Sequence, residues 1–241
     1  MPDNQDDDSV ENPPPAPERV AKRALVLAAV SCRGVIENDP NPEGAEGLRG
    51  RLLPWLDEVG ASAELEDQER QLLAAPIGSL DPKTSLAAGW QSEAMAALAW
   101  ALDCIELGLF YEQCDPAETA GKMGFLNSVA MTPLPSPFLR PAEQIAALAD
   151  SYLTVHWRLR EQTLRPRHMD FVEYVANCNW GALHLDGLEV VDGDLAVNGT
   201  PINQLEKSQF REALSITQER HQALNWLLGF ELVYSQVTTD T

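Results

Sequence analysis

TSLAAGWQSEAMAALAWALDCIELG, running from Thr84 to Gly108, is the stretch on which the fold turns. It is rich in Ala and Leu, the strongest helix formers. Thr84 or Ser85 offers a side-chain oxygen able to cap a helix start. Trp90, Ala94, Ala97, Leu98, Ala101 and Ile105 form one apolar stripe, and Met95, Leu102 and Leu109 form a second. The charges on this helix are Glu93, Asp103 and Glu106. Apolar side chains around so much of the circumference predict a buried central helix reaching to about Gly108.

Upstream, Val20, Ala24, Leu27 and Ser31 share a helical face, with Glu18 near its start and Gly34 as a stop. Residues 38–46 (NDPNPEGAE) read as a loop. Leu48, Leu52, Trp55, Leu56 and Val59 mark a further helix that Pro54 should break or kink. A short helix fits Glu64 to Ala74, and residues 76–83 read as a turn. Residues 1–17, Asp-rich and Pro-rich, hold too little apolar surface to offset the entropy of ordering and are expected to be disordered.

Downstream, the Pro-rich loop 127–141 is the best candidate boundary between two halves of one helical domain covering 18–241. Pro141 suits the first turn of a helix carrying Ile145, Leu148, Ala149, Tyr152, Val155, His156 and Leu159. Phe171, Val175 and Cys178 mark a short helix. Leu188–Val191 and Asp194–Val197 flank Asp192-Gly193, a dipeptide that accepts the positive φ of a type I′ hairpin turn. Ala182–Leu185 is a candidate third strand, and Asn198-Gly199 with Pro201 should turn the chain away. The last helix spans Ser208 to Leu228 and stops at Gly229, leaving a tail from Val233 along the surface. The fold class is mostly α: roughly six to eight helices around Trp90–Gly108, with one small β-hairpin near 188–198.

The 241 residues suffice for a large core, and 44% are hydrophobic. The charge is unusual, with 37 acidic against 17 basic side chains and a net −20. Asp3, Asp6, Asp7, Asp8, Glu11 and Glu18 contribute −6 and leave −14 for the remainder. A field of that sign repels phosphate backbones and anionic membranes, so neither nucleic acid nor a membrane is expected as a partner. It favours a basic protein partner, although solubility is the commoner reason for such charge. Cys32, Cys104, Cys114 and Cys178 form no C-x-x-C pair, and the N-terminus lacks the pattern of a signal peptide. The expected compartment is the cytoplasm, with free thiols.

The sequence holds no G-x-S-x-G, no phosphate-binding glycine loop and no H-E-x-x-H, so no catalytic residue, metal site or cofactor is assigned. His156 and His221 lie on apolar helix faces, where a hydrogen-bonded core histidine is the commoner outcome than a metal ligand or proton relay. Glu93 on the central helix needs a partner, and Arg158 or Arg220 would serve. Failing that, it is a general base of raised pKa. Trp90, Trp100, Trp157, Trp180 and Trp226 read as core fillers.

Four pieces carry a resemblance: WQSEAMAALAWAL (Trp90–Leu102), YLTVHWRLR (Tyr152–Arg160), ERHQALNWLLG (Glu219–Gly229) and VTTDT (Val237–Thr241). In order and content the chain from about residue 19 to 241 resembles a widespread, mainly bacterial family catalogued as a domain of unknown function. The resemblance implies a helical single-domain protein of cytosolic type and brings no catalytic or binding residue with it. The chain departs from the family pattern at Tyr234-Ser235-Gln236-Val237, where a tryptophan and acidic residues are expected before the valine.

Two classes of function follow. The leading one is a non-enzymatic interaction protein with an acidic surface, of immunity or adaptor type. The alternative is a small-molecule-binding or enzymatic domain with a pocket between helical halves, lined by Glu93, Tyr152, His156, Arg220, His221 and Asn225.

Overall fold

In the computed structural model, which describes residues 12–127, 136–181 and 183–239, the central stretch is a helix that two others clasp. The elements in order are α1 (Pro17–Ile36), α2 (Pro42–Glu58), α3 (Asp67–Ala74), α4 (Pro82–Ala101), α5 (Pro116–Lys122), α6 (Ala142–Leu164) and α7 (Phe171–Asn177). The strands β1 (Val190–Val191), β2 (Asp194–Val197) and β3 (Thr200–Pro201) follow, then α8 (Lys207–Leu227). Short 3₁₀ turns lie at Ala61–Glu64, Ile202–Gln204 and Tyr234–Gln236. The buried apolar residues form one cluster that includes members from both sides of the loop 127–141. Among the described residues no helix is long and apolar enough to cross a membrane.

As expected, α4 is buried almost all round from Ser92 to Leu102. Its start and end differ from the sequence reading. The cap is Asp81, whose Oδ1 accepts from the N–H groups of Lys83 and Thr84, with Pro82 at the first helical position. Ser85 instead donates to Gly34 O at 3.0 Å, tying α4 to α1. The helix stops at Ala101 rather than near Gly108, because Asp103 takes a positive φ of 58° and Arg140 closes the end. Arg140 Nε donates to Trp100 O at 2.8 Å, and its backbone N–H donates to Ala101 O at 2.8 Å. A cation at the carboxyl end also suits the helix dipole.

Gly34 does not stop α1 but lies within it, where it allows α1 and α4 to touch. A Cβ built there would sit 2.5 Å from Gly89 N and 2.7 Å from Ser85 O, backbone atoms that cannot swing aside. Residues 38–46 are only partly a loop: Asn41 caps α2 through Gly44 N, and Pro42 begins it. Pro54 does not end that helix. Both Pro54 and Gly50, whose carbonyl loses its donor, are exposed, so water can replace the missing bond.

The Asp192-Gly193 hairpin forms, with φ of 52° and 78° and Val191 opposite Asp194. Asn198-Gly199 makes a second positive-φ turn rather than leading the chain away, so the third strand is Thr200–Pro201. Residues 183–185 are not a strand, and Ala182 lies outside the described residues. Arg158 anchors the sheet to α6 by a two-pronged pair with Asp194 at 2.7 and 2.6 Å, both side chains fully buried.

The C-terminal segment does not simply lie along the surface. Tyr234 and Val237 are buried, and Ser235 N donates to Glu66 Oε1. At the other end, residues 1–11 and the core of the Pro-rich loop, 128–135, lie outside the described residues. Pro15 is buried, and Pro17 already belongs to α1.

The α1–α4 crossing separates two glycines sharply. Gly34→Ala should lower stability by about 1–3 kcal/mol, because the added methyl meets backbone on both sides. Gly89→Ala, whose Cβ meets nothing within 4 Å, should raise it by about 0.5–1 kcal/mol. Urea unfolding of the two variants checks this, and shifts of the same sign would refute the close-approach account.

Candidate functional site

The six residues singled out from sequence lie between α4, α6, α8 and the C-terminal segment, each less than a tenth exposed. They perform three separate tasks. Glu93 pairs with Arg220, whose Nε donates to Oε2 at 2.8 Å, and not with Arg158. Arg220 also donates to Tyr152 Oη at 2.8 Å and to the carbonyls of Gly108, Leu109 and Glu112. Glu93 Oε1 accepts from Cys114 N at 2.9 Å. Every guanidinium group therefore has an acceptor, and the cluster clips segment 108–114 to α8.

His156 and His221 meet edge to face, Nδ1 to Nδ1 at 2.9 Å. One ring donates and the other accepts, so the two cannot both be charged, and when both are neutral they are of opposite tautomer. Burial depresses His156 to about 3, assisted by His221 and Arg160, and depresses His221 to about 4. Asn225 Nδ2 donates to Thr238 O at 3.1 Å and fastens the C-terminal segment. Among the described residues no group of three or more His, Cys, Asp or Glu side chains could hold a metal ion.

Beside this layer is a polar cleft of about 470 Å³, with walls from α1, α3, the first half of α4, α8 and the C-terminal segment. Arg23 forms its floor. The guanidinium pairs with both oxygens of Glu69, donates to Glu64 O and lies 4.2 Å over the ring of Tyr234. On the opposite wall Gln91 Nε2 donates to Glu219 Oε2 at 2.8 Å. Gln222 Nε2 donates to Tyr234 O at 3.3 Å. Both glutamines thus point their amide nitrogens at protein acceptors, which leaves their oxygens free. Tyr234 Oη is buried without a hydrogen-bond partner. Burial, then the charge of Glu219, pushes that phenol upward. Burial and the nearby Glu93 push the Glu219 carboxyl up to about 7.

None of the residues lining the cleft was among the sequence candidates. Gln91 and Gln222 stand two positions from Glu93 and one from His221, on neighbouring faces of the same helical turns, and Glu219 lies behind Gln91, outside the lining. A second cavity, of about 380 Å³, is nearly all apolar and lies between Val35, Leu48, Met95, Ala120 and Phe125 with Cys32 at its side.

Residues 5–175 match the model of the family described as Domain of unknown function (DUF4272). The chain belongs to that family. No curated protein and no solved structure matches it. The family match takes in α1 to α6 and most of α7. It stops short of α8 and the C-terminal segment, so Gln91 lies inside it while Glu219, Gln222 and Tyr234 lie beyond it. The ALNWL and TDT pieces of the resemblance also lie beyond it.

The histidine pair makes stability depend on pH with a fixed sign. Both folded pKa values lie below the ordinary 6.5, so the unfolded chain takes up protons first and stability falls as pH drops below about 6.5. Each histidine contributes up to about 1.4 kcal/mol per pH unit. Glu219, raised in the fold, acts with the opposite sign over the same window, so the comparison is made variant against wild type. A His156→Met, His221→Met double variant should lose about 2–4 kcal/mol less than wild type between pH 6.5 and 5 in urea unfolding. Identical pH slopes would refute the neutral-pair assignment.

Proposed function

We propose that the protein is a binding domain for a polar small molecule, held in the cleft between α1, α3, α4, α8 and the C-terminal segment. The observation that carries this reading is the open cleft itself, walled by Arg23, Gln91, Gln222 and Tyr234, with a partnerless hydroxyl, Tyr234 Oη, buried behind that wall. An unmatched buried polar group costs about 1–3 kcal/mol, which a ligand that shifts the wall and bonds to it returns. The cleft also has the size usual for small-molecule sites. The Glu93–Arg220–Tyr152 cluster, with all its groups matched, then serves as scaffold behind the site.

A polar metabolite that fits should raise Tm in a saturable way, by roughly 2.7 kcal/mol of added stability at a hundred times its Kd. Tyr234→Phe, which removes only the hydroxyl, should weaken that stabilisation about tenfold or more while leaving the unliganded Tm within a few degrees. A metabolite panel in which no member shifts Tm, with no change in the NMR signals of Gln91 or Gln222, would overturn the reading.

A second reading rests on the net charge of −20: a basic protein partner held to the acidic exterior. Affinity capture would then retain one basic protein at low salt and release it at high salt. The same yield at both salts, or no retained protein, counts against it.

A further inference from the structure

We infer that the apolar cavity between α1, α2, α4 and α5 is a second binding site, for a small uncharged hydrophobic molecule of about a dozen non-hydrogen atoms. This does not rest on the reading of the polar cleft, with which the cavity shares no lining residue.

The side chains that line the cavity are themselves the groups a ligand would touch. Ala28 on α1, Met95 on α4 and Ala120 on α5 are buried and make its inner end. Val35 on α1, with Ala117 and Gly121 on α5, is exposed and makes its mouth. Val35 is 62% exposed, an apolar rim turned to water on a helix that is otherwise mostly buried. The cavity therefore opens to solvent, and its volume of about 380 Å³ lies in the range of small-molecule sites. Close-packed interiors leave few voids larger than a water molecule, so a space of this size among four helices is more than packing slack.

One wall is held in place against its own conformational preference. Phe125 packs edge to face on Trp55 of α2, with ring centroids 5.1 Å apart. Trp55 Nε1 donates to Asn127 O at 2.7 Å. Between these two anchors Leu126, which lines the cavity, takes a φ of 59°, a region that bulky side chains rarely enter. Such strain persists only where the surroundings over-determine it, and it gathers at ligand clamps.

The class of occupant follows from what the walls lack. The polar side chains of the lining are Ser31, Cys32 and Asp115. Ser31 Oγ donates to Gly89 O at 3.3 Å. Asp115, exposed at the rim, caps α5 by accepting from Ala117 N and Glu118 N through Oδ1. Burial pushes the Cys32 thiol up to about 11, so it is uncharged at neutral pH. Among the described residues, no buried side chain of the lining offers a counter-charge or a strong free donor. A charged ligand would lose its hydration there with nothing in exchange. The Asp115 carboxylate, standing in water, adds little for a cation. An uncharged hydrophobic molecule loses no hydrogen bond and gains from every apolar contact.

The test uses the full chain with its methionine methyl groups labelled for NMR, so that Met95 reports on the cavity. The probes are toluene, naphthalene and a short alkylbenzene, each set against its carboxylate and its ammonium derivative. Expected is a saturable shift of the Met95 signal with at least one uncharged probe, and affinity about tenfold or more lower for both charged derivatives. The same probe should slow alkylation of Cys32 by a neutral maleimide, while Cys104 and Cys178, which do not line the cavity, react as before. A double variant, Ala117→Leu with Gly121→Leu, puts two large side chains at the mouth. A Cβ at Gly121 meets nothing within 4 Å, so the unliganded Tm should stay within a few degrees of wild type. Affinity of that variant for the probe should drop about tenfold or more. An unmoved Met95 signal with every uncharged probe, and Cys32 left unprotected, would overturn the inference. Charged derivatives that bind equally well, or a mouth variant that binds as wild type does, would overturn it too.

Discussion

The buried pair of Glu93 on α4 and Arg220 on α8 sets the register on which the rest of the interior depends. Two charges taken from water lose hydration worth several kcal/mol, and only a full set of bonds makes the arrangement tolerable. Arg220 has that set: one carboxylate, one phenol and three carbonyls, drawn from α4, α6 and the segment after α4. A slip of α8 by one residue would leave two buried charges apart, which is far more costly than a misplaced leucine. The pair therefore supplies specificity of packing more than raw stability.

The same register builds the cleft. With Glu93 held opposite Arg220, Gln91 meets Glu219, and Gln222 reaches the C-terminal segment. Glu219 is close enough to Glu93 for that charge to raise its pKa. One buried ion pair thus does two things to its neighbours: it locks the helices that carry the cleft, and it disfavours the ionised form of the Glu219 carboxyl behind Gln91.

The same solution recurs elsewhere in the molecule. Among the described residues four arginines are almost wholly buried, each against a carboxylate: Arg23 with Glu69, Arg33 with Glu37, Arg158 with Asp194 and Arg220 with Glu93. Each pair cancels, so burial of these cations leaves the net charge toward solvent as negative as composition makes it. Arg158, which the sequence offers as a partner for Glu93, is instead the tie between α6 and the sheet through Asp194.

The mostly helical fold, the buried central helix and the Asp192-Gly193 hairpin were legible from sequence alone, because each depends on neighbours within a few positions: apolar periodicity, or two residues that accept positive φ. The need of Glu93 for an arginine was legible too, since a carboxylate on an apolar helix must be matched. The choice of Arg220 over Arg158 was not, being a contact across 127 positions. Nor were the early end of α4 under Arg140, the use of Gly34 as a crossing point, or the burial of Tyr234. The candidate site belongs wholly to this second group. Gln91 and Glu219 are 128 positions apart, and each looks like an ordinary helix-surface residue until tertiary packing sets their helices side by side and closes the C-terminal segment over them. Local pattern determined which segments coil and which side of each is apolar. Only the packing of those segments decided which polar groups meet partners and which are left without one.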